Sequence, residues 1–139
     1  MTEKTYQGSC LCGQIHYQIA EPLKIFQYCH CSRCRKVTGS GFAPNVFVPI
    51  EQFKWLKGEE LLGRFEVPET KYFATSFCKN CGSTMPWLTK TAQIYVLPVG
   101  TLDDELNLMP SQNIFCSEIP NWHTSFDKLP MRPQGPKSS

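Results

Sequence analysis

The placement of the cysteines constrains this chain more than any other feature. Seven of the eight fall in three tight groups, Cys10-Leu-Cys12, Cys29-His-Cys31-Ser-Arg-Cys34 and Cys78-Lys-Asn-Cys81. Thiols this close in sequence are poorly placed to bond to one another or to staple distant strands, and well placed to share a metal ion. The groups hold two, three and two sulfurs. Four thiolates close a tetrahedral zinc site, whereas three leave one position for water or a substrate. The count predicts two zinc ions, one structural and one with an open position.

Spacing sorts the groups. In an extended strand residues i and i+2 project from one face, so Cys10 and Cys12 are expected to present both sulfurs from a strand. Cys78-x-x-Cys81-Gly82 reads as a zinc knuckle, with Gly82 free to take the positive φ of its turn. Together these four cysteines make a complete structural site that ties the N-terminal edge to the middle of the chain. Cys29, Cys31 and Cys34 form the second site, the first two from a strand end and the third swung back by the following turn. Three thiolates on zinc suit a soft sulfur ligand better than hydrolysis, and coordination deprotonates an incoming thiol. Arg33, Arg35 and Lys36 flank this trio and can pair with carboxylates on a thiol substrate. The opposing reading closes the trio with His30, His123 or Cys116 and leaves a non-catalytic zinc-stabilised binding module. His30 should point away from its two neighbours, His123 needs the C-terminus to fold back, and Cys116 reads as a buried core thiol.

The rest of the chain bounds the answer. Its 139 residues suit one domain with a real core. A net charge of +2 without a dense Lys/Arg run excludes nucleic acid as the expected partner. The N-terminus lacks an apolar export signal, and no apolar run approaches a membrane span, so a cytoplasmic location with reduced thiols is expected rather than a disulfide scaffold. Short extended segments dominate: 14–19, 24–28, 42–48, 53–56, 62–67, 72–77, 85–88 and 94–99. Pro44 predicts an edge strand or bulge for the third. Helical turns are expected at 32–38, stopped by Gly39, and at 103–106. Phe42, Phe47, Trp55 and Trp87 are expected in the core, and His16 in solvent. The fold class is all-β: a single domain over residues 1–130 of short antiparallel strands in packed sheets, with a Pro-rich, disordered tail at 131–139. Such sheets leave edges on which a homodimer can form.

These motifs resemble the glutathione-dependent formaldehyde-activating enzyme family, which includes the centromere protein V domain. The resemblance rests on Gly8-Ser-Cys-Leu-Cys-Gly13, on Cys29-His-Cys-Ser-Arg-Cys-Arg-Lys36 with Thr38-Gly39, and on Phe77-Cys-Lys-Asn-Cys-Gly-Ser83. It continues in Ile114-Phe115 and in Pro120-Asn-Trp122 ahead of Leu129-Pro130. It implies a zinc-bound β fold related to methionine sulfoxide reductase B. The structural zinc would lie on Cys10, Cys12, Cys78 and Cys81, and the catalytic zinc on Cys29, Cys31 and Cys34. The implied activity is that of a carbon–sulfur lyase, condensing glutathione with formaldehyde to S-hydroxymethylglutathione. Asn113 stands where many relatives carry His.

Overall fold

The computed structural model describes residues 4–136. Eleven strands form in chain order: β1 (Thr5–Ser9), β2 (His16–Ala20), β3 (Phe26–Cys29), β4 (Ala43–Pro49), β5 (Phe53–Lys57) and β6 (Leu62–Glu66) come first. They are followed by β7 (Ala74–Cys78), β8 (Thr84–Met85), β9 (Trp87–Leu88), β10 (Ile94–Pro98) and β11 (Gln112–Ile114). The one α-helix among the described residues, α1 (Ser32–Thr38), follows β3 and ends at Gly39, as the sequence predicts. The chain is therefore the expected mostly-β domain, with strands in three sheets ordered β1-β2-β5, β11-β3-β4-β10-β9 and β6-β7-β8.

Periodicity explains the core. On β2, Tyr17 and Ile19 are buried while His16, Gln18 and Ala20 are half-buried, the alternation of a strand with one face inward. The first and second sheets meet through an aromatic stack: Phe53 lies 5.4 Å from Tyr17 and 3.9 Å from Tyr95, both nearly parallel. Each such pair contributes about 0.5–1.5 kcal/mol beyond its area burial. Trp55 closes the stack edge-on.

The central sheet is packed on both faces, and this positions the site. One face sends Phe26, Val46, Val48 and Leu97 into the main core. The register of the other face sets Cys29 opposite Ala43, Gln27 opposite Asn45, and Phe47 opposite Val96, which in turn pairs with Trp87. Those alternate residues turn toward a cavity.

Several expectations need correction. The segment 85–88 is two strands, because Pro86 cannot continue a ladder and the chain changes sheets there. Pro44 does not mark an edge: β4 lies inside the five-stranded sheet. Its ladder with β10 begins at Asn45, so the missing N–H leaves those rungs intact. Residues 103–106 are not helical. They run beside β1, where Asp104 accepts from Gln7 N at 2.8 Å and Asp103 accepts from Ser9 Oγ at 2.8 Å. Of the tail, residues 131–136 are exposed and carry no helix or strand, and 137–139 lie outside the described residues.

Candidate metal centres and active-site cavity

Cys10 and Cys12 converge through a turn rather than along a strand. β1 ends at Ser9, and Gly13 N donates to Cys10 O at 3.0 Å with Gly13 at φ 79°. Cys78–Gly82 repeats the device: Gly82 N donates to Cys78 O at 2.8 Å, with φ 81°. Both turns need a left-handed residue after the second cysteine, and glycine adopts it without strain. Backbone N–H groups aim at the sulfurs, Ile15 at Cys10 (3.3 Å) and Cys81 at Cys78 (3.5 Å). Ser83 joins the two turns, accepting from Leu11 N at 2.8 Å and lying 3.2 Å from Cys81 Sγ. His16, half-buried rather than in free solvent, braces the first turn through Nε2 and Gly13 O, 2.9 Å apart.

The four sulfurs lie within 4.8 Å of one another. Cys10 and Cys12 sulfurs are 3.5 Å apart, and Cys12 and Cys78 sulfurs 3.9 Å. A tetrahedron of Zn–S bonds near 2.3 Å has edges of about 3.8 Å, so the donors fit zinc in chemistry and spacing. Hydrogen bonds favour thiolate at Cys12 and Cys81, whereas burial pushes Cys78 up. Ser83 draws Cys81 down to about 5, and the Asn80 side chain lowers Cys12.

The second cluster spans a strand end and a helix start. Cys29 is the last residue of β3, Cys31 is the N-cap of α1, and Cys34 sits in its first turn. Cys31 Sγ takes the capping role of a hydroxyl, accepting from Cys34 N at 3.3 Å. All three thiols are buried and lie within 4.8 Å of one another. They divide charge unequally. The hydrogen bond from Cys34 draws Cys29 down to about 6, its return contact pushes Cys34 up, and burial pushes Cys31 up. A soft divalent ion replaces such shared protons readily, so this trio also fits zinc.

Among the described residues no fourth His, Cys, Asp or Glu joins the trio. His30 is buried, but its Nε2 meets Asn113 Oδ1 at 2.9 Å and its ring packs on Phe42. The C-terminal segment does fold back, laying Trp122 against Gly41. His123 stops edge-on to His30, with ring centroids 6.0 Å apart. Cys116 is exposed, not a core thiol, because the short 3-10 turn it begins runs along the surface.

The trio opens instead onto a cavity of about 390 Å³, walled by Cys29, Cys31 and Cys34 together with the inward row Gln27, Asn45 and Phe47. The basic flank divides. Arg33 lines this cavity, its guanidinium 5.3 Å from the centroid of the Phe73 ring. Lys36 faces a neighbouring groove with Phe65 and Val67. Arg35 is half-buried, with an unpartnered Nε, and does not line the cavity. Of the aromatics expected in the core, Trp87 is buried, yet it and Phe47 wall the cavity as well.

The sequence did not reveal the opposite wall, the β6–β7 connection carrying Glu69, Lys71, Tyr72 and Phe73. Lys90 Nζ ties that connection down, donating to Val67 O at 3.1 Å and Thr70 O at 2.6 Å. Glu69 and Phe115, two of the three non-glycine residues with positive φ among those described, both line the cavity. Strained backbone of this kind collects at binding sites. The buried amides of Gln27 and Asn45 left a readable signal, polar residues at strand positions flanked by apolar ones.

A family model described as glutathione-dependent formaldehyde-activating enzyme matches residues 5–118, a span that contains both clusters. A search of curated proteins found no match. Among solved structures, a crystal structure of a Rhodobacter sphaeroides protein is similar, with a TM-score of 0.61 at 20% identity. The likeness covers 77% of this chain and 98% of that one, and it concerns the fold. No helix among the described residues is long and apolar enough to cross a membrane. Taken with the cysteine framework, the family match assigns this chain: it belongs to the glutathione-dependent formaldehyde-activating enzyme family.

Proposed function

We propose that the chain is a zinc-dependent carbon–sulfur lyase that joins a thiol to a carbonyl carbon, with glutathione as the thiol and formaldehyde as the simplest carbonyl partner. One observation carries this reading: three buried cysteine sulfurs form the wall of a cavity that also presents charged and amide side chains. Zinc on Cys29, Cys31 and Cys34 supplies an exchangeable position that favours the thiolate form of an incoming thiol. Cys10, Cys12, Cys78 and Cys81 hold a second, structural zinc. Seven thiol ligands suit a reducing, cytoplasmic compartment.

The side chains bind and orient. Arg33 and Lys71 present two positive groups, and Glu69 one negative group, to the cavity. Glutathione carries the complementary set of two carboxylates and one ammonium. Arg33, seated over the Phe73 ring, offers a paired donor to a carboxylate. Gln27 Oε1 accepts from Gln112 Nε2 at 2.8 Å, so the Gln27 amide keeps its N–H groups for the cavity. These are suited to the carbonyl oxygen as it gains charge. In the forward direction the S–C bond forms, the carbonyl π pair moves to oxygen, and that oxygen takes up the proton the thiol gave up. The lyase direction reverses each transfer.

Cobalt substitution tests the reading. Reduced glutathione should alter the visible absorption of cobalt in the trio and leave that of the four-cysteine site unchanged. An unchanged spectrum at saturating glutathione overturns thiol binding at this centre.

A further inference from the structure

Phe73 and Ile114 pack against the cysteine trio itself, while the central-sheet wall of the cavity changes from amide to apolar side chains with distance from the cysteines. Along the inward face of the central sheet, the rows run from Cys29 and Ala43, through Gln27 and Asn45, to Phe47, Val96 and Trp87. Successive same-face rows on a strand are about 6.6 Å apart, so the aromatic row lies roughly 13 Å from the cysteine row. There a second compartment of about 250 Å³ adjoins the first and shares Phe47, Tyr72, Trp87 and Val96 with it. The second compartment adds Ile94 and the uncharged side chains of Thr89, Thr91 and Gln93; no charged residue among those described lines it. Thr89 and Thr91 hydroxyls are 3.0 Å apart, partnering one another.

The body of glutathione is charged at both ends and finds its complement in Arg33, Lys71 and Glu69. Formaldehyde is a single carbon and needs no compartment. An uncharged, aromatic-walled space that shares four wall residues with the cysteine cavity is matched by neither.

We propose that this compartment receives the apolar substituent of the carbonyl partner, so that the adducts handled at the trio are those of glutathione with aldehydes bearing an alkyl or aromatic group. This inference rests on the thiol reading of the trio. It places Phe47, Tyr72, Trp87 and Val96 as the residues that select the carbonyl compound, while Arg33, Lys71 and Glu69 select the thiol.

S-alkylglutathiones test it, because their chain leaves sulfur where the aldehyde substituent would. Binding of S-methylglutathione, S-octylglutathione and reduced glutathione to the zinc-loaded protein is measured by calorimetry. S-octylglutathione is expected to bind at least tenfold more tightly than S-methylglutathione, since each buried methylene is favourable. Gln93→Trp, at an exposed position on the compartment wall, should bring the ratio of the two affinities toward one; Thr91→Trp provides the same test should Gln93→Trp lose its zinc. Equal affinities in the unaltered protein, or a ratio that both folded variants leave unchanged, overturn the apolar compartment as a substrate subsite. Reduced glutathione that binds while chain length gains nothing leaves the thiol reading standing and this inference refuted. Failure of reduced glutathione to bind refutes the thiol reading itself, and the inference with it.

Discussion

Reducing each cysteine cluster to two thiols should separate their roles. Cys78→Ser with Cys81→Ser leaves two thiolates at the first site, and Cys31→Ser leaves two at the second, so neither remnant holds zinc tightly. The cross-links differ in reach. Cys12 and Cys78 are 66 residues apart, whereas Cys29 and Cys34 span five. Treating each metal bridge as a covalent loop closure, the entropy restored to the unfolded chain amounts to about 4 kcal/mol for the long loop and about 2 kcal/mol for the short one. Cys31→Ser loses still less locally, because a serine hydroxyl can keep the N-cap bond to Cys34 N. For a chain of this size the double variant should melt roughly 15 °C lower, and Cys31→Ser no more than about half that. Thermal and urea melts of the zinc-loaded proteins, with zinc content measured on the same samples, check both figures. Equal destabilisation, or a larger loss in Cys31→Ser, would refute the assignment of the long-range site to the fold and the trio to chemistry.

Three further outcomes follow from the geometry. Gly8→Ala should destabilise the protein by about 1–3 kcal/mol in urea melts, since a Cβ there would sit 2.3 Å from the fully buried Tyr17 ring. Lys90→Met strips the ammonium from the carbonyls of Val67 and Thr70. It should weaken glutathione binding several-fold in calorimetry and cost about 1.5–3 kcal/mol of stability. Zinc uptake by the metal-free protein at pH 7.5 should release fewer than seven protons, because Cys29 and Cys81, drawn down to about 6 and about 5, are already ionised. As pH falls through those values both take up protons, so release per zinc rises and affinity falls; calorimetry in buffers of different ionisation enthalpy measures it, and a full seven protons at pH 7.5 would contradict the shifts.

The cysteine clusters were legible because thiols that converge on one point through short turns lie close together in sequence. So was α1, with its glycine stop, and the alternation of β2. The turn at Cys10 was misread because i, i+2 geometry is only as good as the backbone assumed for it. Gly13, following the second cysteine as Gly82 follows Cys81, was the overlooked signal. Strand β11 escaped notice because three residues paired in parallel with β3, some 85 positions away, have no local pattern. The cavity escaped for a related reason. Its walls come from register among β3, β4, β9 and β10 and from the loop pinned by Lys90, and neither is written in any one window. Cys116 was judged by its apolar neighbours, whereas the surface path of its 3-10 turn decides its exposure.

The late arrival of β11 has a consequence for how the molecule is made. A ribosome adds about 5–20 residues per second. The four-cysteine cluster is complete once Cys81 emerges, and the trio at Cys34. Yet Ile114 and Phe115, which line the cavity beside the trio, follow some 80 residues later. For several seconds the nascent chain therefore lacks the Ile114–Phe115 part of the wall beside the three thiols. Which ion a cluster of this kind would take up then depends on what the chain meets during synthesis as well as on equilibrium preference, so metal content should be compared after expression in zinc-poor and copper-rich medium.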